Sequence, residues 1–326
     1  MNRSKRLFYV SATLVLLALP FVVYFKAQAI TDWWQLRGYT PPQAVVSLTT
    51  QDTMTPYARH VFYVNHPQVV QDVTLFRQDC SEAEQTIVLG CYRSDQNGVF
   101  VYDVKDPLLD GVEQVTAAHE TLHAIYDRLS SSEKDYVDGL LQNYYNSGSL
   151  DQRIKDEIDS YKKTEPNDLV NEMHSIFGTE VTNLPAPLES YYGRYFTDRS
   201  AVVDFANSYQ SEFTSRQNQI NAADAQLSTL KQQIDSEETA LTVQSQQINT
   251  DRSALNSQKS AGQIDTYNAG VDSFNAAVDT YNTGVAKLHY EISAYNGLVN
   301  QRNLVAADLA NLDKAIDTRL TTQASQ

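Results

Sequence analysis

Residues 116–129, TAAHETLHAIYDRL, place two histidines and a glutamate in the spacing H-E-x-x-H. Because four residues make slightly more than one helical turn, His119 and His123 would project from one face of a helix and could bind one Zn²⁺. Glu120 would lie about 100° around that helix, within reach of a water on the metal. Zinc lowers the pKa of such a water, and a nearby glutamate can transfer its proton to a leaving amine. The pattern therefore predicts zinc-dependent hydrolysis, with His119 and His123 as ligands and Glu120 as general base.

A catalytic zinc needs a third protein ligand and an open fourth position. The sequence lacks the continuation H-E-x-x-H-x-x-G-x-x-H, so a third histidine close to the motif is not expected. Glu172 lies 49 residues after His123 in a second predicted helix and is a candidate for the third ligand. His174 and Glu180 are the alternatives.

His119, Glu120, His123 and Glu172 together resemble the active-site pattern of zincin-type zinc metallopeptidases, specifically the gluzincins. The resemblance covers about residues 55–200. It implies Glu172 as the third zinc ligand and a peptide or protein substrate. It also implies a catalytic role for His174, as a hydrogen-bond donor to the tetrahedral intermediate. It also implies a mixed domain, in which an antiparallel sheet with its edge strand along the cleft precedes the active-site helix and a helical half carries the third ligand.

Targeting information lies in residues 1–29. Basic residues among the first six positions precede an uncharged run, 7–25, that is long enough to span a bilayer as a helix. The positive flank should stay cytoplasmic, so the chain after Lys26 is expected outside the cell membrane as the bulk of a single-pass protein. The alternative is a signal peptide cleaved near Ala29, because residues 27–29 have the small-x-small form of a cleavage site. Both interpretations export the main body.

Export would allow the two cysteines to form a disulfide, because disulfides persist outside the cytoplasm. Cys80 and Cys91 enclose ten residues, and either a bridge or a pair of buried thiols fits the sequence. The chain carries a formal net charge of −15, which argues against a nucleic-acid partner.

The expected fold is α+β. Residues 59–65, 85–92 and 98–104 read as strands of a small, mainly antiparallel sheet, and the SDQNG turn joins the last two as a hairpin. Apolar residues then recur at helical spacing from Asp110 to Leu129. Further helices are predicted at about 133–146, 150–163 and 167–177, the last ended by Gly178.

Beyond about residue 205, apolar residues recur every seven positions, which is the seam of a coiled coil. The first series is Phe213, Ile220, Leu227, Ile234, Leu241, Ile248 and Leu255, and a second runs from Ile264 to Val299. The break at residues 259–263 favours an antiparallel helical hairpin, and one continuous helix in a parallel oligomer is the alternative. Such a domain could bind a coiled-coil partner or form a homo-oligomer.

The predicted organisation is a cytoplasmic tail and signal-anchor (1–29), a zincin-like domain (30–205) and a coiled-coil domain (206–326). The function expected from it is a membrane-anchored extracytoplasmic zinc metallopeptidase. The alternative is a non-catalytic envelope scaffold, in which the coiled coil mediates interactions and the globular domain is a degenerate or structural zinc module.

Overall fold

A computed structural model describes residues 26–80, 88–96, 98–164 and 166–319. The predicted signal-anchor, residues 7–25, lies outside the described residues. Within the described ranges, no helix combines the length and apolar character that crossing a bilayer requires.

The chain is mostly helical, with one small sheet. Its described helices are α1 (26–36), α2 (Gln43–Gln51), α3 (Pro56–Val64), α4 (Val73–Asp79), α5 (Val112–Asp127), α6 (Ser131–Asn146), α7 (Gln152–Thr164), α8 (Leu169–Glu180), α9 (Ala186–Tyr192), α10 (Arg199–Ser260) and α11 (Ile264–Ile316). The strands are β1 (Gln68–Val70), β2 (Gly90–Arg93) and β3 (Gly98–Tyr102), and a short 3-10 helix covers Pro107–Leu109. This arrangement is compatible with the predicted α+β class.

The sheet is mixed, with strand order β1-β3-β2. β2 and β3 pair antiparallel with Arg93 opposite Gly98, as the predicted hairpin requires. β1 instead runs parallel to β3, with Gln68 opposite Phe100. The prediction of a mainly antiparallel sheet is wrong for this strand, because a different segment supplies it.

Residues 59–65 were expected to form a strand but belong mostly to helix α3, and this prediction is wrong. The Thr55 side chain accepts a hydrogen bond from the Ala58 N–H, and Pro56 occupies the first helical turn. Both features stabilise a helix start. Ala58, Val61 and Phe62 are then fully buried at helical spacing, so tertiary packing outweighs the β propensity of the apolar run.

The core of the first unit forms around α5, which packs closely against α8. Gly178 lies inside α8 and does not end it, contrary to the prediction. A Cβ at this position would be 2.4 Å from Leu122 Cδ1 of α5 and 2.8 Å from Tyr192 Cε1. The glycine is therefore explained by close helix contact rather than by a helix terminus.

The described residues divide into two compact units. The second unit is Ser211–Lys314, and the first contains the described residues before and after it. α10 begins at Arg199, earlier than the predicted boundary, and its first turns bury Val202, Val203 and Ala206. In the second unit α10 and α11 lie antiparallel as a hairpin. Ion pairs join Glu237 to Lys287 and Asp224 to Arg302, and the seam buries Ile220, Ile234 and Leu241.

Candidate metal centre

Three side chains from α5 and α8 converge on one point. His119 Nε2 and His123 Nε2 lie 3.0 Å apart. The Glu172 carboxylate lies 3.6 Å from His119 Nε2 and 3.4 Å from His123 Nε2. Among the described residues, these three form the one His, Cys, Asp or Glu group whose ligand atoms lie within 4.8 Å of one another.

These separations fit a tetrahedral metal. Nitrogen and oxygen ligands at about 2.1 Å from zinc in tetrahedral geometry are separated by roughly 3.4 Å. Two imidazoles and a carboxylate are also a ligand set that zinc accepts, with one position left for water or substrate. The donor set and its spacing therefore fit a zinc ion bound by His119, His123 and Glu172.

The electrostatics of the site favour an ionised Glu172. Only 7% of its side chain is exposed, and burial alone would raise the pKa of its carboxyl group. The imidazoles of His123 and His119 outweigh that effect and hold the Glu172 pKa below its ordinary value. A carboxylate held charged beside two imidazoles is ready to bind a cation.

Glu180, an alternative third ligand, is not brought to the histidines. It lies at the other end of α8, and its carboxylate accepts a hydrogen bond from Arg153 Nη1 at 2.7 Å. Two helical turns separate it from Glu172, so its side chain is committed to the α7–α8 contact.

His174 is not in the cleft either, and the predicted catalytic role needs correction. Its side chain is fully buried, and its Nε2 lies 2.9 Å from the Tyr191 hydroxyl. Two residues along a helix correspond to a rotation of about 200°, so His174 faces the core when Glu172 faces the metal site. Burial, with the neighbouring His123, lowers the pKa of His174 well below its ordinary range. A neutral histidine enclosed by Tyr126, Tyr191 and Tyr192 positions α8 rather than contacting a substrate.

Glu120 lies where the sheet meets α5. Its side chain is 7% exposed, and a Cβ on Gly90 would be 3.0 Å from Glu120 Cγ and 2.4 Å from Thr116 Cγ2. Gly90 begins β2, an edge strand in the order β1-β3-β2. The strand can therefore pass beside the predicted general base only because this residue lacks a side chain. Gly90 is a site residue that the sequence analysis missed, since only the contact with α5 reveals it.

Two further carboxylates lie near the histidines. Asp168, the residue before α8, accepts a hydrogen bond from Asn171 Nδ2 at 3.0 Å and interacts electrostatically with His123. Asp127 is exposed and bonds to Tyr92 of β2, where burial and the Asp127 charge raise the tyrosine pKa to about 12. The region around the predicted ligands is thus negative on balance, which favours a bound cation.

Arg199 supports the end of the helix that carries Glu172. Its guanidinium donates to the carbonyl oxygens of Val181 at 2.7 Å and Thr182 at 3.1 Å, just beyond α8. It also forms an ion pair with Glu189 of α9. Its Nη1 also donates to the Phe177 carbonyl oxygen of α8 at 3.4 Å, so Arg199 holds the end of this helix and the chain that leaves it inside the protein.

A disulfide joins Cys80 at the end of α4 to Cys91 in β2, with Cα atoms 5.7 Å apart. Cys91 directly follows Gly90, the residue that contacts α5. The bridge therefore fastens the edge strand β2 to α4.

Comparisons of the chain with protein-family models, with curated proteins and with solved structures returned no match.

Proposed function

We propose that this chain is a zinc-dependent metallopeptidase of the gluzincin type, anchored in a membrane with its main body on the extracytoplasmic side. The observation that carries the proposal is the convergence of His119, His123 and Glu172, with Glu120 on the same helix as the histidines. A purely structural zinc site has no use for a glutamate beside a ligand histidine.

The chemistry divides between the metal and the side chains. Bound zinc would supply a Lewis acid that activates a water and polarises the carbonyl of the scissile peptide bond. His119 and His123 would hold it through Nε2, and Glu172 would hold it through its carboxylate. Glu120 accepts a proton from the attacking water as the C–O bond forms, and it delivers that proton to the amide nitrogen as the C–N bond breaks.

The edge strand β2 supports a peptide substrate. Its outer edge has no strand partner among the described residues, so an extended peptide could pair with it by backbone hydrogen bonds. Because Gly90 lies against Glu120, a peptide on this edge would run past the general base.

The proposed location rests on the sequence and the disulfide together. The uncharged run 7–25 with its basic flank suits an uncleaved anchor, and the Cys80–Cys91 bridge suits an oxidising compartment.

Metal analysis of the purified full-length chain in detergent tests the proposal. Wild type should contain about one zinc per chain. Glu120→Gln should keep the metal and lose peptide hydrolysis by about 10²-fold or more, because it removes the general base. Glu172→Ala should lose the metal, whereas Glu180→Gln on the same helix should retain it.

Two outcomes would contradict the proposal. One is a folded wild-type chain that contains no zinc and cleaves no member of a peptide library. The other is Glu172→Ala binding zinc as tightly as wild type. Zinc binding without any hydrolysis would instead favour the scaffold, for which the long helical hairpin of the second unit is the supporting feature.

A further inference from the structure

α1 has two chemically different faces. Asp32 is the one acidic residue between positions 26 and 36, and it points into the domain with only 6% of its surface exposed. The opposite side of the helix carries five residues whose spacings of four, three, one and three place them together. They are Lys26, Ile30, Trp33, Trp34 and Arg37. We call these five residues the tryptophan face.

The Asp32 side is fixed to the helix that carries the histidines. Arg128, which ends α5, donates to both Asp32 carboxylate oxygens at 2.9 and 3.0 Å. His60 Nε2 of α3 lies 2.9 Å from Asp32 Oδ2. A bidentate, largely buried pair of this kind defines the orientation of both elements. α1 is therefore part of the folded domain rather than a loose connector.

The tryptophan face is exposed. Ile30 is 42% exposed, Trp33 58% and Trp34 59%, which is unusual for the largest apolar side chains. The Arg37 guanidinium lies 5.4 Å from both indole centroids. The face thus combines aromatic rings with two cations, in a chain whose net charge is −15.

We propose that the tryptophan face lies in the headgroup region of a lipid bilayer, with α1 along the membrane surface. Tryptophan concentrates at membrane–water interfaces, and lysine and arginine beside it bind lipid phosphates. The uncharged run 7–25 ends immediately before Lys26, so the sequence itself brings α1 to the bilayer surface. A protein partner or a second copy of the chain would need neither the two cations nor this position beside the run.

Docking of the tryptophan face on the bilayer would fix the distance between the membrane surface and the metal centre. His123 precedes Arg128 by five residues, a rise of about 8 Å along α5. Adding the thickness of α1, about 10 Å, the metal centre lies within roughly 20 Å of the headgroups. If the proposed peptidase activity holds, its substrates are polypeptide segments close to the membrane surface. This last step rests on the proposed peptidase activity, whereas the docking rests only on the proposed membrane anchor and the tryptophan face.

Tryptophan fluorescence tests the docking directly, because Trp33 and Trp34 are the two tryptophans of the whole sequence. The full-length chain is reconstituted into vesicles of phosphatidylcholine and phosphatidylglycerol, with or without bromine on the phosphatidylcholine acyl chains. We expect brominated lipid to quench most of the emission and iodide in the water to quench little. The same measurement on Glu120→Gln separates docking from catalysis.

A matched reporter provides the control. Leu108 is 49% exposed and precedes α5 at the end opposite Arg128. Leu108→Trp in a Trp33→Phe, Trp34→Phe background should be quenched by iodide and not by brominated lipid.

Three results would overturn the proposal. Quenching of the wild-type emission by iodide alone places the face in water. Protection from both quenchers indicates cover by a protein partner or a second copy. Equal quenching of the Leu108→Trp reporter by brominated lipid shows that lipid contact is not specific to the tryptophan face.

Discussion

The two histidine nitrogens of the site explain why it suits a cation. An unprotonated imidazole nitrogen presents a lone pair, and here two Nε2 atoms face each other at 3.0 Å beside the Glu172 carboxylate. Such a group is stable when a proton or a metal lies between its members. A metal ion bound here would satisfy all three side chains together.

Gly90→Ala tests the contact between β2 and α5. The new methyl group would meet Thr116 Cγ2 at 2.4 Å and Glu120 Cγ at 3.0 Å, so either the strand or the Glu120 side chain must move. We expect a loss of about 1–3 kcal/mol in the free energy of unfolding and a clear fall in kcat, with zinc content retained. Urea unfolding, metal analysis and peptidase assays measure the three effects.

Gly139→Ala is the control for that substitution. Gly139 lies inside α6 and nothing is within 4 Å of its would-be Cβ, so alanine should stabilise the helix by up to about 1 kcal/mol without changing activity. Wild-type activity in Gly90→Ala would show that the strand does not position Glu120.

At the scale of elements, the spacing of α5 and α8 sets the distance between the histidines and Glu172. Gly178→Ala would place a methyl group 2.4 Å from Leu122 Cδ1 and push the helices apart. We expect weaker zinc affinity and lower stability together, because Leu122 adjoins His123 in sequence. Competition with a chromogenic chelator measures the affinity, and an unchanged affinity would show that the helices hold their spacing despite the larger side chain.

Glu113, in the first turn of α5, makes the free energy of unfolding depend on pH. Burial and then the Asp103 carboxyl raise the Glu113 pKa to about 7 from an ordinary value of 4.5. Between these values the folded chain binds more protons than the unfolded chain, so the contribution of Glu113 to stability is full below the window and is lost as pH rises through it.

Glu113→Gln should remove this dependence. We expect the urea midpoint of the variant to exceed that of wild type at about pH 8 and to approach it at about pH 5. Parallel midpoints for the two proteins across the range would contradict the assignment.

Local periodicity accounts for what the sequence could predict. The helix around His119 and the heptads of α10 and α11 are short-range or repeated signals, and the structure contains both of them. α3, β1 and the burial of His174 depend on long-range packing, which a local pattern does not contain. Gly178 shows the same limit of prediction from sequence, since a glycine that ends a helix and one that permits close helix packing cannot be distinguished by sequence alone.

At the scale of the molecule, all three predicted ligands and Glu120 belong to the first unit, and the hairpin Ser211–Lys314 is a separate one. Replacing Ser211–Lys314 by a short Gly-Ser linker should therefore leave a folded chain that binds zinc with unchanged stoichiometry. Circular dichroism should show the loss of helix, and metal analysis should show the retained site. A chain that loses zinc together with the hairpin would show that the second unit is needed to form the centre.

The Cys80–Cys91 bridge gives the proposed enzyme a dependence on where it is in the cell. In a reducing cytosol the bridge is open, and β2 loses its covalent tether one residue away from the strand's contact with α5. If the proposed location and activity hold, the bridge would close only after the chain has crossed the membrane, and export itself would serve as the activating step.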